Sequence, residues 1–139
     1  MGSSHLKAID LDTRSTRKLA TVGGGPRHLQ ISPDGRHLYI TLNHDGLVAK
    51  VDAATGATVA RVRTGRAPRS AVLSADGSAL YVVNSESGTV SMDTTAGMKV
   101  LQTANVCHHP IGVTRDEATQ QLWVACYSGT IVVFYEGRP

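Results

Sequence analysis

The chain has 139 residues, 41% hydrophobic and 18% charged, with a formal net charge of +3. That balance suits one globular domain rather than a disordered chain. No apolar run approaches the ~18–20 residues of a membrane span, and no Lys/Arg run is interleaved with aromatics, so neither a membrane nor a nucleic acid is expected as a partner.

In chain order, Met1-Gly-Ser-Ser-His5 lacks the basic start and apolar stretch of a secretory signal. It reads as tag-like, so the fold is read from Leu6. Residues 6–22 hold two short strands on either side of a turn after Ile9-Asp10. Residues 26–64 hold four. His28–Ile31 is followed by Pro33-Asp34-Gly35, where Pro presets φ and Gly takes the positive φ of a tight turn. In His37–Leu42, Leu38, Ile40 and Leu42 alternate with Tyr39 and Thr41, the period of a strand. Turns at Asn43–Gly46 and Ala54–Gly56 then frame strands Leu47–Asp52 and Thr58–Val62.

The same order returns in residues 68–104 and, for three strands, in 110–135. Pro26-Arg27 recurs 42 residues on as Pro68-Arg69, and Pro110 follows 42 later. Leu38-Tyr39-Ile40 recurs as Leu80-Tyr81-Val82 and Leu122-Trp123-Val124. Gly46-Leu47-Val48 matches Gly88-Thr89-Val90, then Gly129-Thr130-Ile131 with a one-residue slip. No stretch has helical periodicity. Four antiparallel strands per ~42 residues is the unit of a β-propeller blade. The expected fold is therefore all-β, an incomplete propeller ring: partial blade 6–22, blades 26–64 and 68–104, partial blade 110–135. Stacked repeats bury their faces only against neighbours. The remaining blades are thus expected from another chain or from copies of this one.

Leu80-Tyr-Val-Val-Asn84 followed by Ser87-Gly-Thr-Val-Ser91 resembles the YVTN-type propeller repeat, and Ser32-Pro-Asp-Gly35 with Leu38-Tyr-Ile-Thr41 is a second match. The third copy departs from it at Asp116–Gln121 and at Cys126-Tyr127. The resemblance implies an exported ring among relatives that include surface-layer proteins, ligand-binding scaffolds, lactonases and lyases. It also implies a ligand funnel on the side of the disc that carries the loops before the inner strands and between strands two and three.

Arg27 and Arg69 share one repeat position, where two guanidinium groups can hold a carboxylate or phosphate. With His28 and Tyr127 they are the candidate binding residues for a small anionic ligand. His108, His109, His44 and Glu86 are the acid–base candidates if the protein is a lactonase- or lyase-type enzyme whose site is shared with other blades. Cys107, His108, His109 and Cys126 carry soft ligand atoms suited to zinc or copper. Their spacing supports no metal, and no cofactor is expected. A disulfide between the two cysteines, or free thiols, are the other readings. Asp10, Asp52 and Asp93 are expected to cap the turns after successive third strands, and Asn43 and Asn84 to stabilise turns. Tyr39, Tyr81 and Trp123 are expected to pack between blades. No nucleophile elbow, P-loop, dinucleotide fingerprint or HExxH motif occurs. The leading reading is a binding scaffold, with the enzyme as the alternative.

Overall fold

The computed structural model describes residues 4–136; Met1 to Ser3 and residues 137–139 lie outside them. Among the described residues are thirteen strands in four antiparallel sheets, each a simple meander. The first sheet is β1 (His5–Ile9) and β2 (Thr16–Thr21). The second is β3 (Pro26–Ile31), β4 (His37–Leu42), β5 (Leu47–Asp52) and β6 (Thr58–Arg63). The third is β7 (Pro68–Leu73), β8 (Ala79–Asn84), β9 (Thr89–Thr94) and β10 (Lys99–Asn105). The fourth is β11 (Pro110–Asp116), β12 (Gln121–Cys126) and β13 (Ile131–Tyr135). Of the residues read as a tag-like or disordered start, His5 begins β1 and pairs with Thr21, and Met1 to Ser3 lie outside the described residues.

Local chemistry sets the turns. Asp34 accepts the Ser32 hydroxyl at 2.6 Å and the Arg36 N–H at 3.0 Å. Asp76 repeats this with Ser74 and Ser78. The Ser78 N–H and hydroxyl hold the Asp76 carboxyl down at about 2. Asp10 and Asp52 cap the next turns through the N–H groups of Thr13 and Thr55, both at 2.8 Å. These bonds lower both carboxyls.

Asp93 does not cap a turn. Matched by register, Asp52 corresponds to Thr94, and Asp93 falls where β5 has Val51. Val51 is fully buried, and Asp93 is 1% exposed with neither carboxylate oxygen hydrogen-bonded. Burial pushes its carboxyl up to about 7. Ser91 lies beside it and favours the charged form, yet no hydrogen bond closes between them.

Three apolar layers separate the four sheets. Leu38, Ile40, Leu42, Ala49 and Val51 pack with Ala20 and Val22 of the first sheet's end. Tyr39, Val48 and Val62 point the other way and meet Ala71, Leu80 and Val82 of the third sheet. Tyr81, Val83 and Val90 meet Leu122 and Val124 of the fourth. Successive side chains of β4 and β8 thus feed opposite layers, which is why those strands are buried almost throughout. Tyr39 and Tyr81 are 3% and 6% exposed between sheets, whereas Trp123 in the same repeat position is 41% exposed. Among the described residues no sheet follows on its face. The inner strands β3, β7 and β11 lie against one another in series.

Candidate functional site

The loops that link one sheet to the next converge, on one side of the molecule, with the turns between second and third strands. One backbone pattern recurs at each joint. Gly25, Ala67 and His109, each just before the repeat proline, take left-handed φ values of 70°, 55° and 54°. Their carbonyls accept the N–H of Asn43, Ser85 and Tyr127, at 2.8, 3.0 and 2.9 Å. Gly46 and Gly88 also have positive φ, and a Cβ on either would stand 2.9 or 2.8 Å from the carbonyl oxygen of Gly65 or Cys107. That close approach is the reason for the glycine landmark of the repeat.

Side chains fasten this frame. Asp45 accepts the Gly24 N–H at 2.8 Å, and Ser87, one repeat on, accepts the Arg66 N–H at 2.8 Å. Asn43 donates to the Pro68 carbonyl at 3.2 Å, and Thr41 donates to that of Arg69 at 3.4 Å. Asn84 stabilises no turn of the expected kind. It is fully buried, accepts the Thr64 hydroxyl at 2.8 Å, and its amide reaches the Thr64 carbonyl and Thr89 hydroxyl.

Cys107 and Cys126 form a disulfide, with their Cα atoms 6.3 Å apart. This replaces the readings of free thiols and of thiolate metal ligands, because both sulfurs are committed to each other. No group of three or more His, Cys, Asp or Glu side chains suited to a metal occurs among the described residues.

Two clefts lie on this side, and they are repeat equivalents. One, of about 430 Å³, is lined by His44, Asp45, Arg63, Arg66 and Glu86 among others. The other, of about 400 Å³, is lined by Glu86, Ser87, Asn105, His108 and His109. Glu86 borders both. In the first, Arg63 and Arg66 donate to the carbonyls of Asp45 and Glu86 at 3.3 and 3.5 Å. In the second, the rings of His108 and His109 meet edge to face with centroids 4.0 Å apart. The structure thus brings Glu86, His108 and His109 together and leaves His44 in the neighbouring cleft. Arg27 and Arg69 are exposed at the starts of β3 and β7, beside these loops. Tyr127 is 78% exposed. His28 is half-buried, its Nε2 3.1 Å from the Gln30 amide nitrogen. Sequence reading missed Arg63, Arg66 and Asn105. Each stands exactly one repeat from another cleft residue or loop glycine, which is the signal that finds them.

Stacked four-stranded antiparallel meanders with their inner strands in series define the chain as part of a β-propeller. The fold is similar to that of Kuenenia stuttgartiensis hydrazine synthase, with a TM-score of 0.78 and 30% identity over 86% of this chain and 35% of that one. The chain therefore spans about a third of the length of that protein. No protein-family model matches the chain, and no curated protein matches it.

Proposed function

We propose that the chain is a binding scaffold of the YVTN-repeat type, holding a small anionic ligand on its loop-bearing side, in a ring completed by further blades from another chain or a second copy. The carrying observation is the pair of repeat-equivalent clefts: one backbone path presenting different side chains at matched positions. A rigid frame with variable lining is the design of a recognition surface. Arg66 in the first cleft and Arg27 and Arg69 beside it supply the positive charge for a carboxylate or phosphate. Trp123 supports further blades, since its repeat partners Tyr39 and Tyr81 are each covered by a following sheet. The disulfide supports an oxidising compartment.

The test is a titration of the labelled protein with citrate and with inorganic phosphate, read by amide shifts. Movement at Arg66, Ser87 and His108, weakened about fivefold or more by Arg27→Ala with Arg69→Ala and by added salt, is the expected result. Static amide shifts with both anions would sink the anionic-ligand reading. The juxtaposition of Glu86, His108 and His109 favours one second reading, the lactonase or lyase. It requires turnover that His108→Ala with His109→Ala abolishes.

A further inference from the structure

The position bridged by the disulfide exists at every joint, held each time by different chemistry. Gly23, Gly65 and Cys107 are repeat equivalents, as are Leu42, Asn84 and Cys126. At the first joint a Leu42 methyl packs at Gly23, 3.0 Å from where a Cβ would stand. At the second, Asn84 fills the space beside Gly65 and hydrogen-bonds Thr64. At the third the link is covalent.

The third joint has also lost what the others keep. The N–H of His44 and of Glu86 bond back to the carbonyls of Gly24 and Arg66, at 3.2 and 3.3 Å. The N–H of Gly24 and Arg66 are in turn held by Asp45 and Ser87. Among the described residues neither bond recurs at His108, the next equivalent of Gly24 and Arg66. Apart from the disulfide, the loop carrying His108 and His109 keeps the Tyr127–His109 bond and, at its β10 end, the Val106–Gly88 bond.

We infer that the Cys107–Cys126 disulfide is a redox-sensitive lock on the His108–His109 cleft, standing in for the hydrogen bonds that fix the same cleft one repeat earlier. The inference rests on reading these clefts as the ligand site and adds their regulation. A dithiol supplies two electrons and two protons: the S–S bond breaks, two Cys thiols form, and the dithiol closes to its own disulfide. Cys107 is half-buried and Cys126 buried, so attack comes at the Cys107 sulfur. Reduction then frees the second cleft and leaves the first, which contains no cysteine, unchanged.

Amide hydrogen exchange on the 139-residue chain tests the lock without any ligand. With dithiothreitol, the Tyr127 amide should exchange at least tenfold faster, while Ser85, its equivalent, changes less than twofold. Unchanged Tyr127 exchange overturns the proposal. So does loss of protection throughout the chain, because the disulfide would then hold the fold rather than one loop. Val106→Thr with Cys107→Gly and Cys126→Asn transplants the hydrogen-bonded joint. It should restore the slow Tyr127 exchange of the oxidised protein, and exchange as fast as in the reduced chain would refute the equivalence. Citrate titration of the oxidised and reduced forms separates the two claims. Loss of shifts at His108 and not at Arg66 on reduction supports gating, and equal shifts in both forms overturn it. An absence of citrate shifts in either form refutes the ligand reading while the exchange result still decides the lock.

Discussion

The second and third sheets share one frame and differ in what fills it. β5 buries Val51 where β9 buries Asp93, and β4 ends on Leu42 where β8 ends on Asn84. The sheet of residues 26–63 is held by apolar contact at these positions. The sheet of 68–105 holds the same geometry with polar groups, one satisfied and one not. Backbone register and turn chemistry therefore set the sheet, and the fillers set what each one costs. An unpaired buried carboxylate is a large penalty, whereas a fully bonded buried amide is close to neutral.

Exchanging fillers tests that difference. The largest effect is expected from Asp93→Val, which copies the second sheet. It should raise stability by about 2–4 kcal/mol at pH 8, read by denaturant unfolding. The gain must depend on pH. Between the ordinary 3.8 and the raised value of about 7, the folded chain keeps a proton that the unfolded chain releases. The stability contributed by Asp93 is whole below pH 3.8 and falls as pH rises through 7. The advantage of Asp93→Val should accordingly grow from pH 5 to pH 8; a constant difference would mean that Asp93 has a partner. Asn84→Leu copies the other filler but strands the buried Thr64 hydroxyl beside Gly65. A loss of about 1–3 kcal/mol is expected, and a neutral result would show that the hydrogen bonds do not hold the joint. Asp45→Ala removes an exposed clasp from Gly24 and should cost about 0.5–1 kcal/mol, with faster exchange at Gly24 and no change at Arg66.

Much of this was legible in the 42-residue spacing, because strand alternation and Pro-Asp-Gly turns are local signals. The caps at Asp10 and Asp52 followed from spacing and residue type together. Asp93 was misplaced because it stands 41 residues after Asp52, and in a strand a shift of one residue turns a side chain to the opposite face. Asn84 looks like a turn residue by type, and its burial shows only when Thr64 and Gly65 of the preceding joint are brought against it. The disulfide was open to the same reasoning: Gly65 and Asn84 are 19 residues apart, as are Cys107 and Cys126. Residue chemistry alone favoured free thiols over a disulfide, and a disulfide over a metal. The ligand was not legible, since the cleft positions repeat every 42 residues but the side chains that occupy them do not.

Trp123 carries the sharpest consequence of the repeat. It stands where Tyr39 and Tyr81 are covered, on a face rimmed by Val113 and Ile131 that presents an apolar cleft of about 440 Å³. We read this surface as the seat of a further blade. The most direct measurement is the solution mass of the isolated chain by light scattering, with Trp123 emission followed on dilution. Association to a multiple of 14.7 kDa, with emission shifting to the red as the assembly dissociates, is the result predicted where copies of the chain complete the ring. A 14.7 kDa monomer at all concentrations, stable with Trp123 in water, would contradict the claim that this arc is completed by further blades.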